Sequence, residues 1–95
     1  MNRIVRTAEL ASLPALLALV SGLCQREHID GATCHDLLLI VEEACVNVVH
    51  HAYPAGRAGP LALVARVVRD GGPRRIVLTL VDQGRPFDPL SVGEV

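Results

Sequence analysis

One stretch, Thr33 to Tyr53, narrows what this chain can fold into. Placed on a helical period, TCHDLLLIVEEACVNVVHHAY sorts into two unequal faces. Leu37, Leu38, Val41, Ala44, Cys45, Val48, Val49 and Ala52 crowd one side, and Asp36, Glu43, Asn47, His50 and His51 form a stripe opposite. A long helix with one apolar face must bury that face against another layer. Thr33 with Asp36 three residues on predicts a capping box at its start, and Pro54 predicts its end near Tyr53. The apolar face accounts for folding. The stripe has no such explanation, because a polar pair one turn apart stabilises an exposed helix by only about 0.2–0.5 kcal/mol.

The flanking segments supply the second layer. Ile4 and Val5, between Arg3 and Arg6, predict a short edge strand. Ser12 predicts the cap of a first helix that carries Pro14 in its first turn and runs to about Glu27, with Leu13, Leu16, Leu17, Val20, Leu23 and Cys24 at helical spacing. Asp30-Gly31 separates the two helices. Beyond the loop PAGRAGP, Leu61 to Val68 and Arg75 to Val81 are β-rich runs around Asp70-Gly71-Gly72-Pro73, the pattern of an antiparallel hairpin. Ile76, Leu78 and Leu80 share one face of the second strand, and parity puts Asp82 on that face too. A carboxylate directed to the core side is costly without a partner. Ninety-five residues, 51% of them apolar, suit one small domain over 1–95, an α+β two-layer sandwich with helices on one face of a mostly antiparallel sheet.

Composition removes several functions. The net charge is −1, no basic run exceeds Arg74-Arg75, and Tyr53 and Phe87 are the only aromatics, so neither the charge nor the stacking surface of a nucleic-acid binder is present. Cys24, Cys34 and Cys45 are an odd set without a C-x-x-C spacing, which argues against a disulfide framework and for a reducing cytoplasm. Zinc-ligand spacing is absent as well, despite His28, His35, His50 and His51. Arg3 and Arg6 ahead of LPALLALVSGLC mimic an export signal, but Glu9, Pro14 and Leu23 spoil it, and the run is too short to span a bilayer.

EEACVNVVHHAYP followed by VDQGRPFDP resembles the bacterial anti-sigma-factor serine kinases, which belong to the GHKL ATPase superfamily and have the Bergerat fold. E-x-x-x-N alone is common; its pairing with D-x-G-x-P-F-D-P is specific. The resemblance implies ATP and Mg²⁺ as cofactors and assigns roles residue by residue. Glu43 matches the catalytic acid that positions or deprotonates the attacking hydroxyl. Asn47 matches the asparagine that holds Mg²⁺ against the nucleotide phosphates. Asp82 matches the acceptor of the adenine amino group, and Gly84 the glycine beside the base. His51 is either at the rim of that pocket or a helix-end histidine favoured by the negative pole. Glu42 is expected to point away from the site. The implied partners are a sigma factor and an anti-sigma-factor antagonist carrying the target serine, with a homodimer as the expected assembly.

The family continues with a lid and a glycine-rich phosphate segment that this sequence does not contain, so the expectation is a C-terminally truncated Bergerat domain that binds nucleotide weakly. Millimolar affinity corresponds to about −4 kcal/mol. Two other readings stay open: a non-catalytic Bergerat-like regulatory domain, and the ATPase module of a sensor histidine kinase, which usually has D-x-G-x-G where Arg85-Pro86-Phe87 stands here.

Overall fold

The computed structural model describes residues 2–54 and 56–83. In order these form β1 (Asn2–Thr7), a 3-10 turn (Leu10–Ser12), α1 (Leu13–Arg26), α2 (Gly31–His51), β2 (Pro60–Val68) and β3 (Arg75–Asp82). The sheet order is β1-β2-β3, with both pairings antiparallel. Gly71 takes φ 89° in the β2–β3 turn, a left-handed value that glycine adopts without steric cost.

Register decides which side chains meet the helices. Ile4, Leu63 and Leu80 lie in one row across the sheet, and Arg6, Leu61 and Asp82 in the next. Leu61, Leu63 and Ala65 are buried beneath Leu16 and Val20 of α1 and Val41, Cys45 and Val48 of α2. The opposite face carries Arg3, Val5, Val64, Arg66, Val77, Thr79 and Val81 by pleat alternation. Val5 and Val81 there are 43% and 50% exposed. The result is the expected α+β two-layer architecture, with helices on one face of an antiparallel sheet.

The extent of β1, the start of α2 and the capping of α1 differ from expectation. β1 extends over six residues rather than two, because pairing with β2 continues as long as both chains stay extended, a non-local cause. α2 begins at Gly31, and its cap is Asp30, whose carboxylate accepts from the Thr33 N–H at 2.9 Å. Thr33 is therefore inside the helix. Asp30 holds an extended backbone and satisfies an N–H of the first turn that would otherwise lack a partner. Ser12 does occupy the cap position of α1, with Pro14 in the first turn, but its side chain makes no capping bond; the preceding 3-10 turn already sets the chain direction.

The Thr33 bond also lowers the Asp30 carboxyl below its ordinary 3.8. A depressed carboxyl adds stability that is complete above the unfolded-state value and lost as pH falls through the folded one. The melting-temperature gap between the chain and Asp30→Ala is expected to be steady near neutrality and to close as pH drops below 3.8. A gap that ignores pH would show that the carboxylate is not the cap.

Glu27 ties the helix layer to the hairpin. Its carboxylate pairs with Arg69 and, at 3.4 Å, with Arg74, while its carbonyl accepts from Arg74 Nη1 at 2.6 Å. No helix among the described residues is long and apolar enough to cross a membrane.

Candidate functional site

With Val41, Cys45 and Val48 turned into the core, helical geometry sends the residues half a turn away outward. Glu43 and Asn47, one turn apart, line an open concavity of about 480 Å³ together with Leu39, Glu42 and Val46. Glu43 is exposed and Asn47 half-buried. The expectation for Glu42 is corrected here. It lines the same concavity, because the outward face of α2 is wide and uncovered among the described residues, so positions on both sides of the stripe reach it. α2 contains no lysine or arginine, and among the described residues no ion pair neutralises Glu42 or Glu43. A carboxylate and a carboxamide oxygen side by side are hard donors suited to a magnesium ion that keeps phosphate and water ligands.

The other expected residues stand elsewhere. Asp82 ends β3, half-buried, on the face that carries Leu80, as parity predicts. His51 is the last residue of α2 and exposed, its ring 6.2 Å from that of His50. Neither lines the concavity with Glu43 and Asn47. Gly84, with Phe87, Asp88 and Pro89, lies outside the described residues.

Tyr53 connects these separated parts, a role that sequence reasoning misses. Its hydroxyl donates to the Pro60 carbonyl at 2.5 Å and accepts from the Gln83 N–H at 2.8 Å. One phenol thus joins the exit of α2 to the start of β2 and to the residue after Asp82. The signal for it in the sequence is thin: a lone tyrosine between a helix and Pro54. Its approach depends on Gly59, where an added Cβ would sit 2.4 Å from Tyr53 Cε1. Gly59→Ala is expected to destabilise the fold by about 1–3 kcal/mol, the range for forced overpacking, measured by urea denaturation. Unchanged stability would mean that the ring is not held against residue 59.

Residues 6–94 match the family profile of the histidine kinase-like ATPase domain. Over 69 residues the chain is 33% identical to the protein named serine-protein kinase RsbW from Bacillus licheniformis, covering 73% of this chain and 41% of that one. Against the serine-protein kinase RsbW of Halalkalibacterium halodurans the identity is 36% over 69 residues, with coverages of 73% and 39%. The chain thus spans about two fifths of the length of these curated relatives, 41% and 39%. No solved structure gives a significant match.

Proposed function

Because the chain belongs to the histidine kinase-like ATPase domain family, we propose that it forms the adenine- and magnesium-binding part of an ATP-dependent serine-protein kinase that acts as an anti-sigma factor. The observation carrying this reading is the shared concavity of Glu43 and Asn47 on α2. Residues 1–95 act as one unit in it. The residues present fit the group: an unneutralised carboxylate, a carboxamide oxygen one turn on, and an open volume of about 480 Å³ that admits phosphates. Mg-ATP, when bound, supplies the phosphoryl group for transfer.

Each side chain then has a defined task. The Asn47 amide oxygen contributes the protein ligand to magnesium. Glu43, exposed and one turn away, accepts the proton of an incoming serine hydroxyl, which requires only that the hydroxyl come within hydrogen-bond reach. Asp82 accepts from the adenine amino group at the end of β3, with Gly84 beside the base and His51 at the rim. The Tyr53 bonds to Pro60 and Gln83 fix where the end of β3 lies. The partners on this reading are a sigma factor and a small antagonist protein bearing the phosphorylated serine, met in the cytoplasm by a homodimer. The similarity to two proteins named serine-protein kinases supports this choice.

The test is a titration of Mg-ATP followed by amide chemical shifts. Saturable shifts along α2 around Glu43 and Asn47 and at the end of β3, with a dissociation constant near millimolar, are expected, because so open a concavity buries little of a ligand. Absence of shifts at ten millimolar nucleotide, roughly −2.7 kcal/mol or weaker, would overturn it. Binding without any transfer of labelled phosphate to a partner serine would favour the non-catalytic regulatory domain instead.

A further inference from the structure

The function proposed above uses none of the free cysteines, of which Cys24 and Cys45 are buried and Cys34 half-buried. Two of them are brought together by the turn between the helices. α1 closes on His28, a non-glycine residue with φ 52°. The Ile29 N–H donates to the Cys24 carbonyl at 2.9 Å and the His28 N–H to the Gln25 carbonyl at 3.3 Å, the paired bonds of a Schellman cap. Directly afterwards the Cys34 N–H donates to the Asp30 carbonyl at 2.9 Å. The turn is therefore hydrogen-bonded at both cysteines, and α2 folds back on α1 with Cys24 in the core and Cys34 packed against its edge. Burial first, then the adjacent Cys34 thiol, push the Cys24 thiol up to about 11. Cys45 lies three turns further along α2, roughly 16 Å from Cys34 by helical rise.

We propose that Cys24 and Cys34 are an oxidative modification site, which closes to an intramolecular disulfide when the chain meets hydrogen peroxide. Cys34 is the one that peroxide reaches. Its sulfur attacks one peroxide oxygen, the O–O bond breaks, and water leaves behind a sulfenic acid. Cys24, protonated at neutral pH and shielded, is not oxidised first but sits beside the product. Its sulfur attacks the Cys34 sulfur, the sulfenic oxygen leaves, and the Cys24 proton completes a second water. Two thiols lose two electrons and one peroxide gains them. The bridge fastens the last turn of α1 to the first turn of α2, and thiol reductants reverse it, as for the transient disulfides of reducing compartments.

The experiment treats the reduced chain with hydrogen peroxide, blocks remaining thiols with N-ethylmaleimide, and digests it with trypsin without reduction. Cleavage at arginine leaves Cys24 in peptide 7–26 and both Cys34 and Cys45 in peptide 27–57. The expected product is these two peptides linked, with the maleimide on Cys45 by fragmentation, and the linked pair persists in Cys45→Ala. Oxidised protein is also expected to melt several degrees higher than reduced protein, with the difference abolished by dithiothreitol. Maleimide found on Cys34 in the linked pair, bridges only between chains, or no linked pair at a peroxide dose that oxidises Cys34 would each overturn the proposal. The localisation is made on the unsubstituted chain, so a variant that fails to fold leaves it decidable.

Discussion

Asp82→Asn is expected to weaken Mg-ATP binding by about tenfold to a hundredfold. A hydrogen bond to a charged acceptor contributes about 1.5–3 kcal/mol, and each 1.4 kcal/mol, roughly, is a factor of ten in affinity. The substitution preserves side-chain size at the end of β3, where Asp82 is half-buried opposite Leu61, so sheet pairing and circular dichroism should hardly change. What it removes is the negative charge that, on the proposed function, favours the adenine amino group. At the near-millimolar affinity expected for the unsubstituted chain, nucleotide at about ten times that level occupies roughly nine tenths of it, and between about half and a tenth of the variant. Equal shifts in both would remove Asp82 from the nucleotide site while leaving Glu43 and Asn47 in place, since the two groups stand on different elements.

Leu63→Ala is expected to cost about 2–5 kcal/mol, the range for emptying a leucine site in a core. Leu63 is 1% exposed, lies on the central strand, and registers with Ile4 on one side and Leu80 on the other. Neither neighbour can collapse into the gap without breaking its own ladder. For a domain of this size each kcal/mol moves the melting temperature by about 4–8 °C, so a fall of at least about 8 °C should appear in a thermal scan. Val81→Ala is the control. Val81 is 50% exposed on the other face, and a surface change of that kind stays within about 0.5 kcal/mol. If the two substitutions behaved alike, the assignment of the helix-covered face would be wrong.

How much of this can be read from the sequence depends on how local the cause is. The hairpin is legible because its alternation and its Asp70-Gly71-Gly72-Pro73 turn lie within one short stretch, and the observed strands differ from expectation by a single residue at one end of each. The i, i+4 pairing of Glu43 with Asn47 follows from helical period alone. The start of α2 is misplaced because two capping chemistries compete within four residues, and Asp30 rather than Thr33 takes the free N–H. The full extent of β1 depends on a partner some sixty residues away, from Thr7↔Pro60 to Asn2↔Ala65. Glu42 is wrongly set outside the site because a period assigns a direction but not the width of the surface open to it. The Tyr53 joint is invisible for the strongest reason: its partners are seven and thirty residues distant, and no periodicity links them.

That joint has an optical consequence. Tyr53 is the single tyrosine of a chain with no tryptophan, so emission excited at wavelengths too long for phenylalanine comes from one phenol wedged between Gly59, Pro60 and Gln83. Undocking the end of β3 removes the amide proton that the hydroxyl accepts and changes the brightness of that emitter. The protein therefore carries its own unlabelled gauge of whether the strand that ends in Asp82 is seated, readable while nucleotide, denaturant or oxidant is added.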